Sequence, residues 1–208
     1  MFLSRLILNP RSRRAQQERA DLYQLHRTVM RAFPEVLPSD ERVLFRLEDD
    51  QLANGLIVLV QSHYPPNWNW LEAESAVGYL LPTADPNPWV KSFEPVFFVG
   101  QRFIFRLRAN PTVKRDGKRV ALLRETEQLQ WLERKAATGG FALDSVRIQC
   151  RGYAQGMTRE RQWLKLSDIQ YDGSLQVTDT GLFWSSVADG VGSAKGFGFG
   201  LLSLAPVN

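Results

Sequence analysis

Apolar and polar positions alternate at the start of the chain, with Phe2, Leu3, Leu6 and Leu8 around Ser4 and Arg5, and this pattern predicts a strand over Phe2 to Leu8. An Arg-rich loop is expected after it. From Asp21 to Phe33 the apolar residues Leu22, Leu25, Val29 and Phe33 recur at helical spacing, so an amphipathic helix with one buried face is predicted. Two strands follow at Arg42 to Leu47 and Leu56 to Gln61, joined by an acidic, glycine-containing turn around Asp49 to Gly55. Residues 62–98 are rich in Pro and Trp and read as loop, with a short helix near Leu71 to Tyr79.

Arg102 to Arg108 alternates again: Phe103, Phe105 and Leu107 mark a core face, while Arg102, Arg106 and Arg108, with Ile104, mark a cationic one. Asn110-Pro111 ends this strand, and Lys114 to Arg119 reads as a mobile basic loop. Glu125 to Ala137 is a second helix closed by Gly139-Gly140. Strand-like segments follow at Phe141 to Gln149, Gln162 to Leu166 and Leu175 to Thr178. A short helix near Phe183 to Asp189, a glycine-rich loop and a last strand at Leu201 to Leu204 complete the pattern. The order predicts an α+β fold of two tandem ferredoxin-like (RRM-like) domains: residues 1–110, a basic linker loop at 111–124, and residues 125–208 with the glycine-rich loop.

The chain has 208 residues, 44% of them hydrophobic, enough to build real cores. One cysteine, Cys150, allows neither an intramolecular disulfide nor a cysteine-based zinc cage, and with only His26 and His63 besides, no metal cofactor is expected. No stretch approaches a membrane span and no secretory signal is evident, so a soluble cytoplasmic protein is expected. The charge is informative in kind and place. There are 20 Arg against 6 Lys, and residues 101–165 carry 15 basic and 6 acidic side chains, whereas residues 48–100 carry 1 and 7. Guanidinium groups suit phosphates and guanine edges, so this distribution fits either a polyanion-binding face or a patchy solvated surface.

Tyr23 and His26 lie three apart on the first predicted helix, on a face shared with Arg27 and Met30 and turned away from the apolar stripe. An imidazole exchanges protons near neutral pH and a neighbouring phenol could orient the reacting group; the same pair also occurs as plain surface neighbours. Gly190, Gly192, Gly196, Gly198 and Gly200 surround Lys195. Such a loop could bring backbone N–H groups to a phosphate or simply pack tightly; it fits neither the dinucleotide nor the P-loop pattern.

These pieces together closely resemble the CasE-type CRISPR-associated endoribonucleases of type I-E systems. The resemblance runs nearly end to end. It is carried by FLSRLILNP and DLYQLHRT, by FRLRANP at Phe105 to Pro111 with the following GKRVAL, by EQLQWLERK, and by GVGSAKGFGFGLLSLAP. It implies two ferredoxin-like domains and catalytic residues at Tyr23 and His26. It also implies a metal-independent reaction in which a ribose 2′-OH attacks the adjacent phosphate, giving a 2′,3′-cyclic phosphate and a 5′-OH. The implied substrate is precursor CRISPR RNA, cut at the 3′ base of its repeat hairpin, with the product retained and other Cascade subunits as partners. Arg27 and Arg31 would stabilise charge on the phosphate. RNA contacts are expected from Arg102, Arg106 and Arg108, from Lys114, Arg115, Lys118 and Arg119, from Arg159, Arg161 and Lys165, and from Lys195. Two rivals remain: a hairpin-binding module without catalysis, and a scaffold docking partners through Trp68, Trp70 and Trp89.

Overall fold

The opening alternation becomes β1 (Phe2–Leu8), with Ser4, Leu6 and Leu8 buried. The structure, a computed structural model, describes residues 1–50, 55–157 and 162–207. The expected Arg-rich loop is instead largely helical: α1 (Arg13–Ala20) is capped by Ser12, whose side chain accepts from the Ala15 N–H. It has no apolar stripe, since only Ala15 and Glu18 are buried. The helix α2 (Leu22–Met30) follows the predicted periodicity and buries Leu22, Leu25, Thr28 and Val29. Next come β2 (Leu44–Asp50) and β3 (Gly55–Ser62). Short 3-10 turns at Asn69–Glu72 and Glu74–Ala76 replace the expected helix near Leu71 to Tyr79, and an unpredicted strand, β4 (Trp89–Ser92), closes the sheet edge. The sheet is antiparallel in the order β2, β3, β1, β4, with Leu6 opposite Val58 and Phe45 opposite Val60.

A second sheet is ordered β10, β5, β9, β8 and is built from β5 (Arg102–Ala109), β8 (Phe141–Met157), β9 (Trp163–Val177) and β10 (Leu202–Pro206). The three short strands expected between residues 141 and 178 are thus two long ones. Gly173 permits their close approach, because a Cβ there would lie 2.0 Å from the Ser145 carbonyl oxygen. The basic segment expected as a mobile loop is a hairpin of β6 (Thr112–Arg115) and β7 (Lys118–Ala121). Its turn places both Asp116 (φ 47°) and Gly117 (φ 77°) in the left-handed region, which matches the twist of paired strands. The helices are α3 (Glu125–Thr138) and α4 (Thr180–Asp189), the latter begun earlier than predicted because Asp179 caps the Leu182 N–H.

The chain divides into two compact units, with the first boundary between Glu94 and Pro95 rather than at residue 110. The strand β5 therefore belongs with the second sheet. The first unit also takes the described residues of 155–164 and Gly196–Gly198.

The predicted cationic face of β5 needs correction. Arg108 is 8% exposed, its guanidinium gripping Asp168 of β9 through Nε at 2.6 Å and Nη2 at 2.5 Å, against the Phe199 ring. Arg106 pairs with Asp172 at 2.6 Å and Arg102 with Asp144 at 3.3 Å, both near the surface. Removing one partner of a buried pair leaves an uncompensated charge, whereas an exposed pair stabilises little. Arg108→Ala is therefore expected to cost about 3–5 kcal/mol in equilibrium urea denaturation, and Arg102→Ala no more than about 1 kcal/mol.

Candidate functional site

The helix α2 begins where Asp21 caps it: one carboxylate oxygen accepts from the Tyr23 N–H at 3.0 Å and from the Met157 N–H at 3.2 Å. One side chain thus fixes both the start of the helix and the end of β8. A turn further on, the Tyr23 and His26 rings stand side by side with centroids 5.9 Å apart. His26 stacks on Phe45 of β2 at 6.1 Å, and Tyr23 lies 6.1 Å from Phe197. Gly196 abuts the imidazole, where a Cβ would meet the ring at 3.9–4.0 Å. Phe197 in turn needs Gly156, since a Cβ at 156 would approach its ring to 2.6 Å. Tyr23, His26 and Met157 border a groove of about 990 Å³ whose walls also include Arg27, Met30 and Arg31.

Burial beneath these rings lowers the His26 pKa from its ordinary 6.5, because the charged imidazolium loses solvation there. At pH 7 the ring is mostly neutral, with one nitrogen to accept a proton and the other to donate one. Beside it on the same helix, Arg27 and Arg31 are exposed and line the groove. This is a proton-transfer group and two cations at one concave surface, suited to chemistry on a phosphate ester.

The sequence-predicted residues Tyr23, His26, Arg27 and Arg31 are therefore brought together. Asp21, Phe45, Gly156, Met157 and Phe197 are the additions that sequence reasoning missed. An Asp immediately before a helix is a cap signal, so Asp21 was recoverable; the others carry no local mark of their role. The helix also has an internal brace. Glu18 of α1 is buried and accepts from Arg14 Nε at 2.9 Å and from the hydroxyls of Thr28 and Tyr79, each at 2.5 Å.

The glycine-rich loop packs tightly at several points: a Cβ on Gly198 would meet the Phe45 ring at 3.1 Å, one on Gly192 the Trp131 ring at 3.0 Å, and one on Gly200 the Val191 carbonyl at 3.1 Å. Gly190, with φ 76°, terminates α4, and Lys195 opens a 3-10 turn over Lys195–Phe197. In the second unit Lys114, Arg119 and Lys135 converge with Thr112, Gly192 and Ser193 on a cavity of about 320 Å³. Among the described residues none of these three cations has an acidic partner. Arg115 and Lys118 are exposed on the same hairpin, with Arg115 3.9 Å from Glu127. Lys165 sits over the Tyr153 ring at 3.9 Å. Arg159 and Arg161 lie outside the described residues. Of the tryptophans considered for docking, Trp68 is buried and donates to Ser4, and Trp70 stacks against Arg14 and Arg31. Trp89 alone of the three is exposed, under Arg5 and Lys91. Among the described residues no three His, Cys, Asp or Glu side chains cluster as a metal site, and no helix is long and apolar enough to cross a membrane.

The family model for CRISPR associated proteins matches residues 1–206. The chain belongs to that family. Within it, the CRISPR-associated endoribonuclease Cse3 of Thermus thermophilus is 35% identical over 221 residues, covering 99% of this chain and all of that protein. The CRISPR system Cascade subunit CasE of Escherichia coli is 31% identical over 220 residues, with both chains covered in full. The structure of Thermus thermophilus Cse3 bound to an RNA representing a pre-cleavage complex superposes with a TM-score of 0.82 at 36% identity, covering 99% of this chain and 98% of that one.

The site makes one prediction on its own terms. Followed by NMR as pH is lowered, the His26 ring is expected to titrate with a midpoint below 6.5, and a midpoint at or above 6.5 contradicts the burial described here.

Proposed function

We propose that this CRISPR-associated protein is an endoribonuclease that cuts precursor CRISPR RNA at the 3′ base of the repeat hairpin and retains the product for assembly with other Cascade subunits. The observation that carries this reading is the Tyr23 and His26 pair on the wall of one groove, with the imidazole kept neutral by burial, in a chain whose relatives include an RNA-bound endoribonuclease. Both units have four antiparallel or hairpin-paired strands in the order fourth, first, third, second, which supports reading each as ferredoxin-like, the first with 3-10 turns in place of its second helix. A cytoplasmic location accompanies this reading.

In the proposed reaction the ribose 2′-oxygen forms a bond to the neighbouring phosphorus as the bond from phosphorus to the 5′-oxygen breaks. The 2′-OH proton leaves and a proton reaches the departing oxygen, giving a 2′,3′-cyclic phosphate and a 5′-OH without a metal ion. His26 takes part in that proton traffic, Tyr23 orients the reacting group, and Arg27 and Arg31 face the negative charge that builds on the phosphate. An A-form stem hides its base edges in a deep groove, so its recognition rests on phosphates and shape. The exposed cations Lys114, Arg115, Lys118 and Arg119 of the hairpin, with Lys165, fit that role, and Arg159 and Arg161 are assigned to it from the sequence resemblance alone; Arg108, closed into its pair with Asp168, does not fit it.

Incubating the protein with its cognate repeat RNA in excess EDTA tests the chemistry. Wild type should cut, whereas His26→Ala, and an RNA carrying a 2′-deoxy sugar at the cut position, should bind without cleavage. Tight binding with no cutting by wild type would leave a hairpin binder and remove the nuclease assignment. A second expectation concerns affinity alone. Replacing Lys114, Arg119 and Lys135 together by Ala should flatten the dependence of log K on log salt by about 2–3 units, with the single-turnover cleavage rate at saturating protein unchanged.

A further inference from the structure

The helix α2 borders a second groove. Arg14 and Gln17 of α1, with Gln24, Arg27, Thr28 and Arg31 of α2, enclose about 320 Å³ there. Gln24, Arg27 and Arg31 also line the groove that holds Tyr23 and His26. Spaced three and then four residues apart, these three form a single stripe along the helix, with one groove on each side of it. Whatever crosses the stripe from the His26 side enters the space between α1 and α2.

The charge of this second groove is unbalanced. Arg14, Arg27 and Arg31 bring three guanidinium groups, against which stands one carboxyl group, Glu18, whose oxygens already accept from Arg14, Thr28 and Tyr79. Among the described residues Arg27 and Arg31 have no acidic partner. Two of the three guanidiniums are also held still. Arg14 lies against the Trp70 ring at 4.9 Å and the Tyr79 ring at 4.6 Å, with a further bond from its Nη2 to Thr28 at 2.9 Å, and Arg31 lies over Trp70 at 4.2 Å. Cations fixed before binding lose little side-chain freedom when an anion arrives. Gln17 and Gln24 are exposed and add amides that can donate to or accept from a sugar or a base edge.

We propose that this groove seats the single-stranded RNA adjoining the scissile phosphate, with its phosphates on Arg27 and Arg31 and its sugar or base edges on Gln17 and Gln24. The volume suits about one nucleotide. The inference rests on the endoribonuclease reading, because it is the cut site that places a strand at the stripe.

Gln17 provides the test, since it lines only the second groove and is exposed on α1, so that its replacement should not disturb the fold. Gln17→Glu and Gln17→Lys are compared with wild type on three uncleavable RNAs with a 2′-deoxy sugar at the cut. One RNA is trimmed to the hairpin, and the other two carry a few unpaired nucleotides on the 5′ or the 3′ side. For the RNA extended on the 3′ side, where unpaired nucleotides adjoin the scissile phosphate, the Glu variant is expected to bind about fivefold more weakly and the Lys variant severalfold more tightly, while the trimmed and the 5′-extended RNAs bind all three proteins alike. A shift confined to the 5′-extended RNA would overturn the proposal. Equal shifts for every RNA would indicate a general field effect and overturn the proposal, as would no shift for any. Cleavage of unmodified RNA by wild type, run alongside, reports separately on the nuclease reading.

Discussion

A carboxyl group inside a protein is tolerated only when its oxygens are partnered, and Glu18 meets that demand with side chains from three places in the chain. It takes a bond from Arg14 on its own helix, one from Thr28 on α2 and one from Tyr79 beyond the 3-10 turns. The constraint works in both directions, because each partner must come to the carboxyl group and each is thereby located. Thr28 stands two residues after His26 on the same helix, so anchoring Thr28 inward turns His26 outward toward the groove. Burial beside the same carboxyl, and a hydrogen bond to it, push the Tyr79 hydroxyl pKa far above its ordinary value, so Tyr79 stays protonated and keeps donating. Arg14, drawn to Glu18, also settles on two aromatic rings, which extends the brace to the rim of the α1 and α2 groove.

A second brace acts at the start of α2. Asp21 caps the helix and holds the end of β8, so Tyr23 and Met157 face the same groove from elements far apart in sequence. Phe45 beneath the imidazole and Gly196 beside it then set how much water reaches His26, and that exclusion lowers its pKa. Position and protonation thus have separate origins: the braces decide where the ring stands, and the neighbouring rings decide its charge.

What was legible in the sequence follows from which forces are local. The α2 stripe of Leu22, Leu25 and Val29 announced its helix, and with it the shared face of Tyr23 and His26. The preceding α1 was hidden because it is held by the Glu18 contacts rather than by an apolar face. The four residues of β4 are all exposed, so no alternation marked that edge strand. Charge density made β6 and β7 look like loop, although Asp116-Gly117 is a strong hairpin turn in its own right. Alternation predicted Arg108 on the outer face of β5, and Asp168, sixty positions away, grips it in a buried pair against the Phe199 ring. Phe197, beside the Tyr23 ring, and Gly156, against Phe197, owe their roles entirely to long-range packing.

That packing has a consequence for how the protein is made. Synthesis runs from the N-terminus, so α2 with Tyr23 and His26 emerges from the ribosome long before residues 155–157 and 196–198. Until those stretches arrive, the imidazole lacks the glycine beside it, Tyr23 lacks Phe197, and Asp21 has no strand end to hold. A nascent chain therefore displays Tyr23 and His26 without the neighbours that pack around them in the finished fold. The order of translation itself completes the packing around α2 only once the last of these stretches has emerged.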